Sequence, residues 1–143
     1  MLPIIRSLSL LGLSIFIGAC QDNANVSHEQ KPVQHLQLPD ITTQSEAWDV
    51  LQATSKQLRN RQQLDASELN DIHMITYSLE KAIAYFVTQS EPTLAKQARA
   101  MAIVVEDLHL HSENNRKEAS KAALNRYFKL YESFSSEAKR AEN

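Results

Sequence analysis

Glycine is almost missing from this chain: there are two, Gly12 and Gly18, and none in residues 21–143. Without it there can be no phosphate-cradling glycine loop, no dinucleotide fingerprint, no Gly-x-Ser-x-Gly nucleophile elbow and no Asn-Gly hairpin. A single cysteine, Cys20, excludes an internal disulfide, a multi-thiolate metal site and the two-cysteine attachment of covalent haem. Neither sign of charge is in excess, with 15 Lys and Arg against 17 Asp and Glu, which argues against nucleic acid as a partner. Aromatic residues make up 6% of the chain and β-branched residues are sparse, while Leu, Ala, Glu, Lys, Gln and Arg dominate. Summed over long windows those preferences favour helix, and 143 residues suit one compact domain. The expected class is all-α.

A long, mainly apolar run occurs at the amino terminus, from Leu8 to Ile17, after the basic Arg6 and before Gly18-Ala19-Cys20. A basic start, an apolar stretch of about ten residues and small residues before a cut make a secretory signal; a membrane-spanning helix needs about 20 apolar residues. The stretch Ile17-Gly18-Ala19-Cys20 resembles the lipobox of bacterial lipoproteins. In that family the peptidase needs small residues for close approach, and the cysteine thiol is the acylation nucleophile. The resemblance implies that residues 1–19 are removed and that Cys20, carrying fatty chains such as palmitate, becomes the first mature residue. Gln21 follows it where inner-membrane retention usually wants Asp. The expected location is therefore the outer membrane, facing the periplasm, with the membrane itself as a partner through the anchor. Loss of residues 1–19 removes Arg6 and leaves 14 basic against 17 acidic residues.

Residues 20–42 contain Pro32 and Pro39, many amides and no helical periodicity, and read as a flexible tether. His28 and His35 lie in it and are expected to be solvated. Residues 43–143 form the body. Thr43 with Glu46, Asp65 with Glu68, and Asn115 with Glu118 have capping-box spacing, the third in a weaker form, and Pro92 suits a first helical turn. No proline interrupts residues 43–63, 65–89, 91–113 or 115–141. Four helices joined by short links predict an up-down four-helix bundle.

The apolar stripes agree. Leu69, Ile72, Thr76, Leu79, Ile83 and Phe86 alternate steps of three and four. So do Leu94, Ala98, Met101, Val105 and Leu108, and the last helix offers Ala123, Tyr127, Leu130, Tyr131, Phe134 and Ala138. The first helix, with Trp48, Leu51, Ser55 and Leu58, has the weakest stripe and is expected to be the most loosely held.

Polar residues beside this core are the candidate site. His109 is one turn from Val105, with Glu106 and Glu113 on the same edge, and His73 and Glu80 share one border of the preceding helix. If the second and third helices run antiparallel, His73 lies level with Glu106 and His109, and Glu80 level with Arg99. Two imidazoles and a carboxylate at one level, His73, Glu106 and His109, could hold a divalent transition metal. The Glu106-x-x-His109 spacing is half of a di-iron bundle site, but Asn70 stands where the other half needs Glu. The expected reading is a hydrogen-bonded His-Glu girdle with Glu80 and Arg99 as an ion pair. His111 projects away and is expected to face solvent. The last helix carries seven Lys and Arg against four acids from Arg116 to Glu142, a solvated face whose alternative is contact with anionic headgroups or an acidic partner.

The segments from Asp71 to Ala82 (DIHMITYSLEKA) and from Glu106 to Glu113 (EDLHLHSE) resemble a pattern in small, uncharacterised secreted helical proteins of proteobacteria. That resemblance implies a fold and no assigned activity. The architecture also resembles four-helix b-type and c-type cytochromes. For haem, however, Met101 lies two turns from His109 on one helix, a poor position for the opposite axial ligand. The expected function is non-enzymatic: a tethered binding or structural module of the cell envelope, with an envelope protein as partner. The alternative is a periplasmic metal- or haem-binding protein.

Overall fold

A computed structural model of the chain describes residues 38–141. The leader, Cys20, His28 and His35 lie outside the described residues. Four helices follow one another: α1 (Gln44–Arg59), α2 (Ala66–Gln89), α3 (Pro92–Glu113) and α4 (Lys117–Ala141). Neighbours in sequence are neighbours in space, as short links between antiparallel helices require. The fold is an all-α four-helix bundle.

Local chemistry sets most of the helix ends. Thr43 and Glu46 form a complete capping box, the threonine hydroxyl accepting from the Glu46 amide at 3.2 Å while the glutamate returns to the Thr43 amide at 3.1 Å. Asp65 caps α2 by accepting from the Glu68 amide at 2.9 Å. The Glu68 carboxylate, however, takes the Leu64 amide at 2.7 Å, so this box closes one residue early. Leu64 is buried and has φ 49°, a left-handed conformation that costs a non-glycine residue roughly 1–2 kcal/mol. Pro92 opens α3.

Asn115 does not cap α4. It has φ 52° and ends α3 instead: its amide donates to the Ser112 carbonyl at 3.0 Å, and the Arg116 amide reaches back to the His111 carbonyl at 2.8 Å. That pair of bonds is a Schellman motif, which needs a left-handed residue after the helix. In a body without glycine, asparagine is the side chain best able to take that conformation. The helix after it therefore begins at Lys117, one residue later than capping-box spacing suggests.

The buried faces follow the stripes. Leu69, Ile72, Thr76, Leu79, Ile83 and Phe86 of α2 are all buried, as are Ala98, Met101, Val105 and Leu108 of α3 and Ala123, Tyr127 and Phe134 of α4. The backbones of α1 and α4 stay farther apart than those of consecutive helices, and large side chains fill the difference. Trp48, Phe86 and Phe134 meet with ring centroids 5.1–6.0 Å apart. Lower down, the Ser55 hydroxyl and the Tyr127 phenol lie 2.6 Å apart in the core. α1 is thus held firmly despite its weak stripe.

Residues 38–42, part of the segment that reads as tether, lie against the α1–α2 face. Ile41 packs on the core. Lys81 of α2 donates to the Leu38 carbonyl, to the Pro39 carbonyl at 3.3 Å and to the Asp40 carboxylate at 3.2 Å. One lysine therefore fixes the point at which the chain enters the bundle.

Candidate functional site

Between α2 and α3 the structure brings together His73, Thr76, Tyr77, Glu80 and His109. Residue numbers of facing positions on these helices sum to about 180, as a turn near residue 90 demands, so the antiparallel register expected from sequence is the one observed. The two imidazoles touch at a tilt, centroids 4.5 Å apart and planes at 50°. Tyr77 presents its ring edgewise to both, at 5.1 Å from His73 and 4.9 Å from His109.

Hydrogen bonds order these rings. The Thr76 hydroxyl lies 2.6 Å from the His73 carbonyl, to which it donates, and 2.9 Å from His109 Nδ1. Because a hydroxyl has one proton, His109 Nδ1 must carry the hydrogen and donate to Thr76. The Glu80 carboxylate stands 3.4 Å from the same nitrogen, and the two side chains are 34% and 13% exposed. A carboxylate beside an Nδ1–H group fixes the tautomer and the ring's orientation. On the other side, the Tyr77 hydroxyl is 3.2 Å from His73 Nε2.

His73 is placed differently. Burial first, and the neighbouring His109 ring second, hold its imidazole below the ordinary value of 6.5; Glu113 and the His109 carbonyl pull the other way. Its Nδ1 is buried without a well-formed hydrogen bond. A narrow cleft of about 310 Å³, lined by Asn70, His73, Ser112 and Glu113 among others, opens beside it.

The carboxylate nearest His109 is Glu80, which sequence reasoning sets opposite Arg99. Glu106 is solvent-exposed and instead lines, with Glu80, Asp107 and the exposed Ile103, a shallow groove of about 590 Å³. Among the described residues no group of three or more His, Cys, Asp or Glu side chains is disposed to hold a metal ion. His111 is half-buried with a buried Nδ1, not fully turned to solvent. Tyr77 is the participant that sequence reasoning missed; its signal was the four-residue step from His73, which puts the two side chains one above the other on a helix.

A four-helix bundle with a polar, aromatic-flanked histidine pair at the edge of its core defines a class of architecture, not an activity. The chain belongs to a family of unknown function, DUF6746, whose model matches residues 7–136. No curated protein and no solved structure matches it. Among the described residues no helix is long and apolar enough to cross a membrane.

Proposed function

We propose that this chain is a bacterial envelope lipoprotein, acylated on Cys20, whose bundle is a non-enzymatic binding or structural module on the periplasmic side of the outer membrane. The observation that carries this reading is the lipobox Ile17-Gly18-Ala19-Cys20, ending on the one cysteine in the sequence. The Lys81 strap supports it, because a body held by a lipid gains from a fixed point of entry for its tether. Between Cys20 and Leu38 the chain can span at most about 60 Å when fully extended, which sets the reach of the bundle from the membrane. Most polar groups of the His73–His109 cluster face one another, with Thr76 and Glu80 at His109 Nδ1 and Tyr77 at His73 Nε2, as a girdle between helices should have them.

Labelling with a radioactive fatty acid, followed by fractionation, tests it. The wild-type chain should take up label and sediment with outer membranes; Cys20→Ser should take up none and appear in the soluble periplasmic fraction. An unlabelled wild-type chain would overturn the reading.

A second reading has one observation in its favour. The buried, poorly bonded Nδ1 of His73, next to a second imidazole, is a donor set that a divalent transition metal could use, with water completing its shell. Under this reading zinc or copper raises the melting temperature of the wild-type chain by an amount growing with concentration, and far less in His73→Ala and His109→Ala. Equal, negligible shifts in all three proteins would remove it.

A further inference from the structure

A different part of the molecule combines features of a ligand site. Where α1 ends, the connection to α2 and the first half of α4 enclose a cleft of about 460 Å³. Its floor is apolar, made by Leu58, Leu64 and Leu124, all buried, and by the half-buried Phe128. Three cations from three separate elements stand around it: Arg59 of α1, Arg61 of the connection and Lys121 of α4.

Each cation has an informative environment. The Arg59 guanidinium lies 4.2 Å over the Phe128 ring, which holds it at the rim, and pairs at 3.1 Å with Glu132. Arg61 pairs at 3.1 Å with Asp71, yet its Nε is buried and has no hydrogen-bond partner. A buried guanidinium N–H left unpaired is costly, and native structures leave few such groups without a reason. Lys121 is exposed. The two carboxylates now in place, Glu132 and Asp71, are 67% and 47% exposed; exposed ion pairs are worth about 0–1 kcal/mol, so an incoming anion displaces them at little cost. Leu64, whose side chain lies in the floor, is also held in the left-handed conformation, and strain of that kind concentrates at ligand sites.

We propose that this cleft binds a single-chain anionic amphiphile, a carboxylate or phosphate head on a short acyl chain. The head sits among Arg59, Arg61 and Lys121; the chain lies on the floor of Leu58, Leu64, Leu124 and Phe128. A concave cleft with its charges at the rim suits a free amphiphile, whereas a bilayer surface calls for a protruding basic face. The inference does not depend on acylation of Cys20.

Calorimetric titration of the full chain carrying Cys20→Ser with decanoate, below its micelle-forming concentration, is the test. Saturable one-to-one binding is expected, weakening as salt is raised. 1-Decanol should bind much more weakly and decyltrimethylammonium not at all. Lys121→Gln, at an exposed position, should weaken decanoate about two- to fivefold, the span of an exposed ion pair. Arg61→Gln should weaken it about tenfold or more, the loss of a charge-assisted hydrogen bond. If Arg61→Gln does not fold, the Lys121→Gln comparison and the decanol comparison still decide. Absence of saturable binding, equal binding of decanoate and decanol, or equal affinity in the lysine variant would overturn the proposal. So would association with phosphatidylglycerol vesicles in the absence of decanoate binding, which would make the cations a membrane-facing patch.

Discussion

Substituting Ser55 by alanine should destabilise this bundle more than substituting its partner Tyr127 by phenylalanine, although the second change removes the same hydrogen bond. The Ser55 hydroxyl lies 2.6 Å from the Leu51 carbonyl and gives its only proton there, so the 2.6 Å contact with Tyr127 has the phenol as donor. Tyr127 is fully buried, and burial raises the pKa of its phenol. Tyr127→Phe leaves the serine still bonded to Leu51, and its cost is that of one ordinary hydrogen bond, about 0.5–1.5 kcal/mol. Ser55→Ala leaves a buried O–H with nothing to bond, about 1–3 kcal/mol. With Tyr127→Phe already present, Ser55→Ala strands nothing, so the double variant should resemble Tyr127→Phe alone. Thermal unfolding of the full chain followed by circular dichroism resolves the order, since about 1 kcal/mol moves the midpoint by roughly 4–8 °C in a domain near this size. Equal losses in the two single variants, or strictly additive losses in the double, would refute the assignment of donor and acceptor.

Other outcomes follow from the same structure. Because His73 has a lowered pKa in the folded state, the unfolded chain binds the extra proton first as pH falls; stability should be full above about pH 6.5 and decline as pH drops through that value. His73→Gln should flatten the decline in midpoint measured between about pH 7.5 and 5.5, and an unchanged slope would exclude His73 as its source. Asn115→Gly should leave stability unchanged or slightly raised, whereas Asn115→Val should cost about 1–2 kcal/mol in urea unfolding because its φ is 52°. A chain shortened to begin at Thr42 loses the Lys81 contacts to Leu38, Pro39 and Asp40 but should keep its helical circular dichroism and cooperative melting; a molten product would show that the strap is part of the core.

Much of this architecture is legible in sequence because helices advertise their ends and faces locally. Thr43 with Glu46 and Asp65 with Glu68 name two helix starts, and the alternating steps of three and four name the buried faces. Asn115 departs from its expected role for a physical reason: asparagine suits both an N-cap and a left-handed C-terminal position, and spacing to Glu118 cannot tell which bond the backbone makes. The site was legible in register but not in composition. His73 and His109 meet as the antiparallel register requires, yet whether Glu106 or Glu80 supplies the carboxylate depends on how each helix is rotated about its axis. Glu106 and His109 are three apart on one helix, so either could have faced α2; only the rotation that buries Leu108 and Val105 turns Glu106 outward. Long-range devices such as the Lys81 strap and the cleft around Arg61 join residues about 40 to 70 positions apart, and no local pattern marks them.

The mass of the mature protein tests the central proposal most directly. Purified from the membranes of a bacterium expressing the full chain, it should begin at Cys20, lack residues 1–19 and carry the added mass of two or three fatty chains, all localised to the first residue by fragmentation. An unmodified Cys20, or a mature chain that begins at any other residue, would contradict it.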